Sequence, residues 1–175
     1  MKASEPRDSL TADVEIPKGG AEGVLICHGG NVGGYTLFVK DKKLHYVHNY
    51  VGALEFHVAS DLDVPEGKIQ LRFDFEPTSK PDLAKGEGCP GSAKLFIGGK
   101  QAGQTEILLT IPFVLGIGRG LTVGRNPGSP VSILYEPPFA FTGTIFKITA
   151  DVSGKMIHDL QEEKKAIAIA AMPRH

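Results

Sequence analysis

Residues 68–76 alternate without a break, with Ile69, Leu71, Phe73 and Phe75 set against Lys68, Gln70, Arg72, Asp74 and Glu76. A period of two marks a strand with one face in a core and the other in water. The same period returns in residues 10–16, where Ala12, Val14 and Ile16 oppose Asp13 and Glu15. It appears again near the end, where Phe146, Ile148, Ala150 and Val152 oppose Lys147, Thr149 and Asp151. All three segments read as one-sided antiparallel strands.

Further strands are predicted over residues 23–28, 35–40, 43–51, 54–59, 94–97, 102–110 and 121–123. Asp41-Lys42 and Gly98-Gly99 fall between β-rich runs, where two-residue hairpins need positive φ. The chain holds 22 Gly and 12 Pro in 175 residues, which favours many short elements over a few long helices. About ten short strands predict an all-β fold, an antiparallel two-sheet β-sandwich, with a closed barrel as the alternative. Two loops, 77–92 and 124–138, are rich in Gly, Pro, Ser and Asp, and loops of that length are functional or surface insertions. At the end, Asp159 and Glu162 have capping-box spacing ahead of good helix formers, which predicts a short C-terminal helix. The organisation expected is an N-terminal extension at 1–9, a sandwich domain at 10–158, and a helix with tail at 159–175.

Nineteen basic and twenty acidic residues give a net charge of −1, with no run of one sign. That surface lacks the footprint of a nucleic-acid or anionic-membrane partner, and no apolar run approaches the ~18 residues of a spanning helix. Cys27 follows Val24-Leu25-Ile26 and is expected to be a buried, inert thiol, whereas Cys89 sits in a loop and is expected to be more exposed. Their spacing does not decide whether they pair. The sequence contains no G-x-S-x-G nucleophile elbow, and its glycine runs at 98–99 and 116–120 match neither a phosphate loop nor a dinucleotide fingerprint. His45 and His48, three apart on a strand, point to opposite faces and do not chelate one ion without a bulge. A loop such as 126–129 could still offer calcium its backbone carbonyls.

The strand at 44–51 places Tyr46, His48 and Tyr50 on one face with Leu44, and His45 and Asn49 on the other with Val47 and Val51. One reading makes the Tyr46, His48 and Tyr50 face a docking or glycan-binding surface, since Tyr and His present a flat apolar body with a polar edge. The other makes this a central strand buried on both sides, its polar tips hydrogen-bonded internally.

Six runs in order carry a resemblance: TADVEIP at 11–17, GGAEGVLI at 19–26, GGYTLFVKD at 33–41, LRFDFE at 71–76, VGRNPGSPV at 123–131 and FTGTI at 141–145. Together they resemble the carboxy-terminal region of long bacterial arylsulfatases of the formylglycine-dependent sulfatase family. The resemblance implies a jelly roll of the concanavalin or laminin-G type, accessory to an upstream α/β domain. In the family that domain hydrolyses sulfate esters with a formylglycine made in a C-x-P-x-R motif and a divalent cation, usually calcium. Here Cys89-Pro90-Gly91-Ser92-Ala93 has proline one place early and alanine where the motif's arginine would stand. No catalytic residue, metal ligand or cofactor carries over. The expected role is a noncatalytic accessory domain whose partner is the sulfatase catalytic domain or a second subunit. A module for sulfated carbohydrate is the alternative, and an independent enzyme is a third reading.

Overall fold

The computed structural model describes residues 8–111 and 120–152. It contains ten strands: β1 (Asp8–Ile16), β2 (Gly23–Gly30), β3 (Gly33–Lys40), β4 (Lys43–Tyr50), β5 (Leu54–Asp63), β6 (Gly67–Pro77), β7 (Gly91–Ile97), β8 (Lys100–Ile107), β9 (Leu121–Val123) and β10 (Thr144–Val152). One five-stranded sheet runs β10-β1-β6-β7-β8 and the other β5-β4-β3-β2-β9, with every strand pair antiparallel. The predicted two-sheet sandwich is therefore present. Asp8 and Ser9, assigned to an extension from sequence, already pair with Phe75 and Asp74 in β1. The helix and tail predicted at 159–175 lie outside the described residues.

Sheet 1 obeys the alternation. Ala12, Val14, Ile16, Leu71, Phe73 and Phe75 are buried, and their polar neighbours Glu15, Lys68 and Gln70 are exposed. These residues meet Leu37, Leu44, Tyr46 and Val58 of sheet 2 in the main core. Burying such side chains stabilises the fold by about 1.5–3 kcal/mol each. Both predicted tight hairpins form. Asp41 and Lys42 have φ of 50° and 63°, and Gly98 and Gly99 have 59° and 82°, matching the twist of the flanking strands.

Phe146 departs from the simple period. The β1–β10 register shifts between Asp13 and Val14, so Ile145 and Ile148 pair with the inward Val14 and Ala12. Phe146 is left 55% exposed, under the ammonium of Lys68. A bulge inserts a residue and reverses the alternation beyond it.

Sheet 2 is buried on both faces. A second cluster of Val24, Cys27, Phe38, Val47, Val131 and Tyr135 lies on its outer side, beneath the segment 124–141. This strap is tied to the sheet. Val24 donates its N–H to the Phe139 carbonyl (2.9 Å), and Gly124 donates to the Leu25 carbonyl (3.0 Å). It passes so close that a Cβ on Gly23 would lie 2.4 Å from the Ala140 carbonyl oxygen, at a φ of +124°. Only glycine tolerates both.

Candidate functional site

Leu44, Tyr46, His48 and Tyr50 do share one face of β4, and that face looks inward at sheet 1. Tyr46 is 5% exposed, His48 8% and Tyr50 0%. Tyr46 stacks on Phe73 of β6 with ring centroids 3.6 Å apart, and Tyr50 donates its hydroxyl to the Gly86 carbonyl (3.1 Å). The expectation of an open docking or glycan-binding surface is thus corrected. A strand at the middle of a sandwich places its aromatic bodies in the core.

At one end of the sandwich the inner face of sheet 2 carries a row of rings. His28 pairs with Tyr35, Tyr35 with His48, and His48 with Phe56, and paired residues of adjacent strands share a face. His28 stacks on Tyr35 (5.7 Å) and Tyr35 on Tyr46 (6.4 Å). Opposite them stand Phe73 and Phe75, and between the two walls lies a cavity of about 230 Å³. His48 lines it. Its Nε2 accepts the Ile111 N–H (3.1 Å), which puts the ring proton on Nδ1. Burial away from water penalises the imidazolium and pushes the His48 pKa down to about 4, so the ring is neutral at pH 7. Desolvation, with a smaller contribution from the Asp8 carboxylate, raises the Tyr35 and Tyr46 hydroxyls above the ordinary tyrosine range. Both stay protonated.

The outer face is structural. Asn126, fully buried in the strap, accepts from Tyr135 Oη (2.6 Å) and Val131 N (3.0 Å) and donates to the Ser129 carbonyl (3.0 Å). The amide thus engages the Ser129 carbonyl, one of the backbone oxygens in the loop that the sequence offered as a calcium candidate. Lys40 Nζ donates to the Leu134 carbonyl (2.6 Å), Asn49 Nδ2 to the Val131 carbonyl (2.7 Å), and Ser132 Oγ to Glu55 (2.8 Å). The second reading of β4 holds: the strand is buried on both sides, with His48 and Tyr50 bonding internally on the inner face and His45 and Asn49 on the outer. Cys27 is buried beside Thr122 (Sγ to Oγ1 2.9 Å), and burial raises its thiol pKa. An inert thiol results.

His45 and His48 do point to opposite faces. On the outer side His45 finds a partner that sequence spacing hides, His57 of β5, with Nδ1 to Nε2 at 2.9 Å and the rings stacked 5.2 Å apart. The two belong to different strands at diagonal positions of the ladder. Among the described residues no group of three or more His, Cys, Asp or Glu side chains is placed to hold a metal ion. Cys89, in the loop before β7, is half-buried.

No protein-family model matches the chain, and no curated protein matches it in sequence. Solved structures do. The mouse laminin alpha1 chain, domains LG4-5, matches with a TM-score of 0.61 at 11% identity, over 86% of this chain and 37% of that one. This chain is a jelly-roll β-sandwich. It spans 37% of the length of that laminin fragment, and the likeness concerns fold alone. A native heptameric SAP-like pentraxin from Limulus polyphemus is matched with a TM-score of 0.46 at 10% identity, over 83% of this chain and 64% of that one.

Proposed function

We propose that this jelly roll is a noncatalytic carboxy-terminal accessory domain of an arylsulfatase, packing on the catalytic domain or on a second subunit. One observation carries the reading. The six runs that resemble arylsulfatases fall, in order, on β1, the start of β2, β3, β6, the first half of the strap, and the start of β10. They cover the sandwich frame and its strap rather than one site.

The chain's own residues do not fit the family's catalytic chemistry. Ala93, at the place of the motif's arginine, is fully buried within β7, and Ser92 pairs with Glu76 and Glu106 in the sheet. Formylglycine and calcium belong to the catalytic partner. Exposed apolar side chains support docking. Leu121 and Val123 on edge strand β9 are each 50% exposed. Leu54 (50%) and Ile133 (88%) flank Glu55, which binds the Ile133 N–H. The Tyr46, His48 and Tyr50 face is no open carbohydrate platform, because it lies between the sheets, which leaves the alternative of a carbohydrate module to the two long loops.

The test uses the natural polypeptide. An antibody raised against this chain precipitates it from its source, and the precipitate is offered an aryl sulfate with calcium present. The proposal expects hydrolysis by the precipitate and none by the isolated chain. A precipitate without sulfatase activity, or turnover by the isolated chain that survives replacement of Cys27 and Cys89, contradicts it.

A further inference from the structure

The cavity at the sandwich end combines aromatic walls with carboxylates. The stacked pair Tyr46 and Phe73 lines it, joined by Tyr35 from sheet 2 and Phe75 from sheet 1. Aromatic rings carry negative faces, and a cation held among them is attracted by each.

Two acids favour the same sign of charge. Asp8 pairs with Phe75 across β1 and β6, so the two share the inward face. Its carboxylate is felt at the Tyr35 and Tyr46 hydroxyls, whose pKa values it helps to raise. Asp151, exposed on β10, lines the cavity as well. Among the described lining residues there is no Lys or Arg. Burial lowers the pKa of His28 and His48, so neither imidazole brings a competing positive charge at pH 7.

The other walls narrow the kind of cation. Leu10, Ile107 and Ile111 supply apolar surface. A primary ammonium gives up water at three N–H donors on entering such a space, and apolar walls do not replace those bonds. An ammonium covered by methyl groups loses no such bonds, and its methyls meet the apolar walls while its charge meets the rings. At about 230 Å³ the space falls below the 300–1,000 Å³ of drug-sized sites, which suits an ion of a few carbon atoms.

We propose that the cavity walled by Tyr35, Tyr46 and Phe75, and flanked by Asp8 and Asp151, binds a small methylated ammonium ion. This site is independent of any docking to a sulfatase, and its test does not involve turnover.

The experiment is an amide NMR titration of the whole chain at pH 7 and low salt with tetramethylammonium. The comparators are tert-butanol, a neutral molecule of similar shape, pivalate, an anionic one, and methylammonium, a cation with three N–H donors. Tetramethylammonium should shift the amides of residues 34–35, 46–48 and 107–111 with a dissociation constant in the millimolar range or below. Each comparator should bind at least about tenfold more weakly. Asp8→Asn and Asp151→Asn keep the side-chain shape and should each weaken tetramethylammonium about two- to fivefold. Tyr35→Leu keeps an apolar wall without the ring and should weaken it about three- to tenfold. The amide spectrum of each variant reports whether it is folded. No shifts at about 50 mM tetramethylammonium, shifts confined to other surfaces, equal binding of any comparator, or weakened binding in fewer than two of the folded variants would overturn the assignment.

Discussion

His48 ties stability to pH, and the size of the effect follows from its burial. In the unfolded chain its pKa is about 6.5, and in the fold it is pushed down to about 4. The native state thus binds fewer protons than the unfolded state between these values. Stability is present above pH 6.5 and is lost as the pH falls towards 4. From pH 7 to pH 4.5 this single group should remove roughly 2–3 kcal/mol, a large share of a typical 5–15 kcal/mol. His28, His45 and His57 are also depressed by burial, and their loss runs in the same direction. The difference between the parent and His48→Gln isolates His48, because the amide oxygen can still accept the Ile111 N–H. Urea unfolding at half-unit intervals from pH 7 to 4.5 should show the variant losing stability less steeply, the two curves converging by about 2 kcal/mol. Parallel curves would mean that His48 titrates normally and is not buried neutral beside Ile111.

Other perturbations test other parts. Phe73→Ala removes the ring stacked on Tyr46 and should cost about 3–5 kcal/mol in chemical denaturation. Arg72→Ala should cost less, about 1–2 kcal/mol, since the guanidinium covers Phe96 at 4.2 Å and neighbours Asp74. Asn126→Ala leaves the Tyr135 hydroxyl and the Val131 N–H without their shared acceptor and should cost about 2–4 kcal/mol, with earlier hydrogen exchange in the strap. Burial raises the Asp74 pKa, an effect partly offset by Arg72 and Lys94. Its stabilising share is therefore present at low pH and lost as pH rises through the raised value. Asp74→Asn should flatten that dependence and be no less stable than the parent at pH 7, as a denaturant series across pH 3–7 would reveal.

The two sheets differ in how clearly the sequence announces them. Sheet 1 has a solvated face, so Lys68, Gln70 and Glu15 interleave with buried side chains and the period of two can be read directly. Sheet 2 lies between sheet 1 and the strap. Residues 24–27 and 37–39 are therefore continuous apolar runs with no side to read from. The strap itself looks like a plain Gly- and Pro-rich loop, because what fixes it is long-range: Lys40, Asn49 and Glu55 reaching across to residues 131–134. Nothing local in sequence indicated the bulge that turns Phe146 outward, or the meeting of His45 with His57 across two strands.

The cavity was partly legible. The alternation puts Tyr46 and His48 on one face, as the structure does, and leaves open whether that face is a docking surface or lies in the core, where it is found. A strand of mixed apolar and aromatic residues gives its alternation but not which layer it confronts. Tyr35 and His28 join the site only through the register of β2, β3 and β4, which sequence spacing does not supply.

The association with a sulfatase is tested most directly by peptide mapping of the polypeptides recovered with this chain from its natural source. The account predicts a C-x-P-x-R peptide whose Cys or Ser has the mass of formylglycine, on the same polypeptide or on a tightly held subunit. Recovery of this 18.7 kDa chain alone, with no formylglycine peptide beside it, would contradict the account.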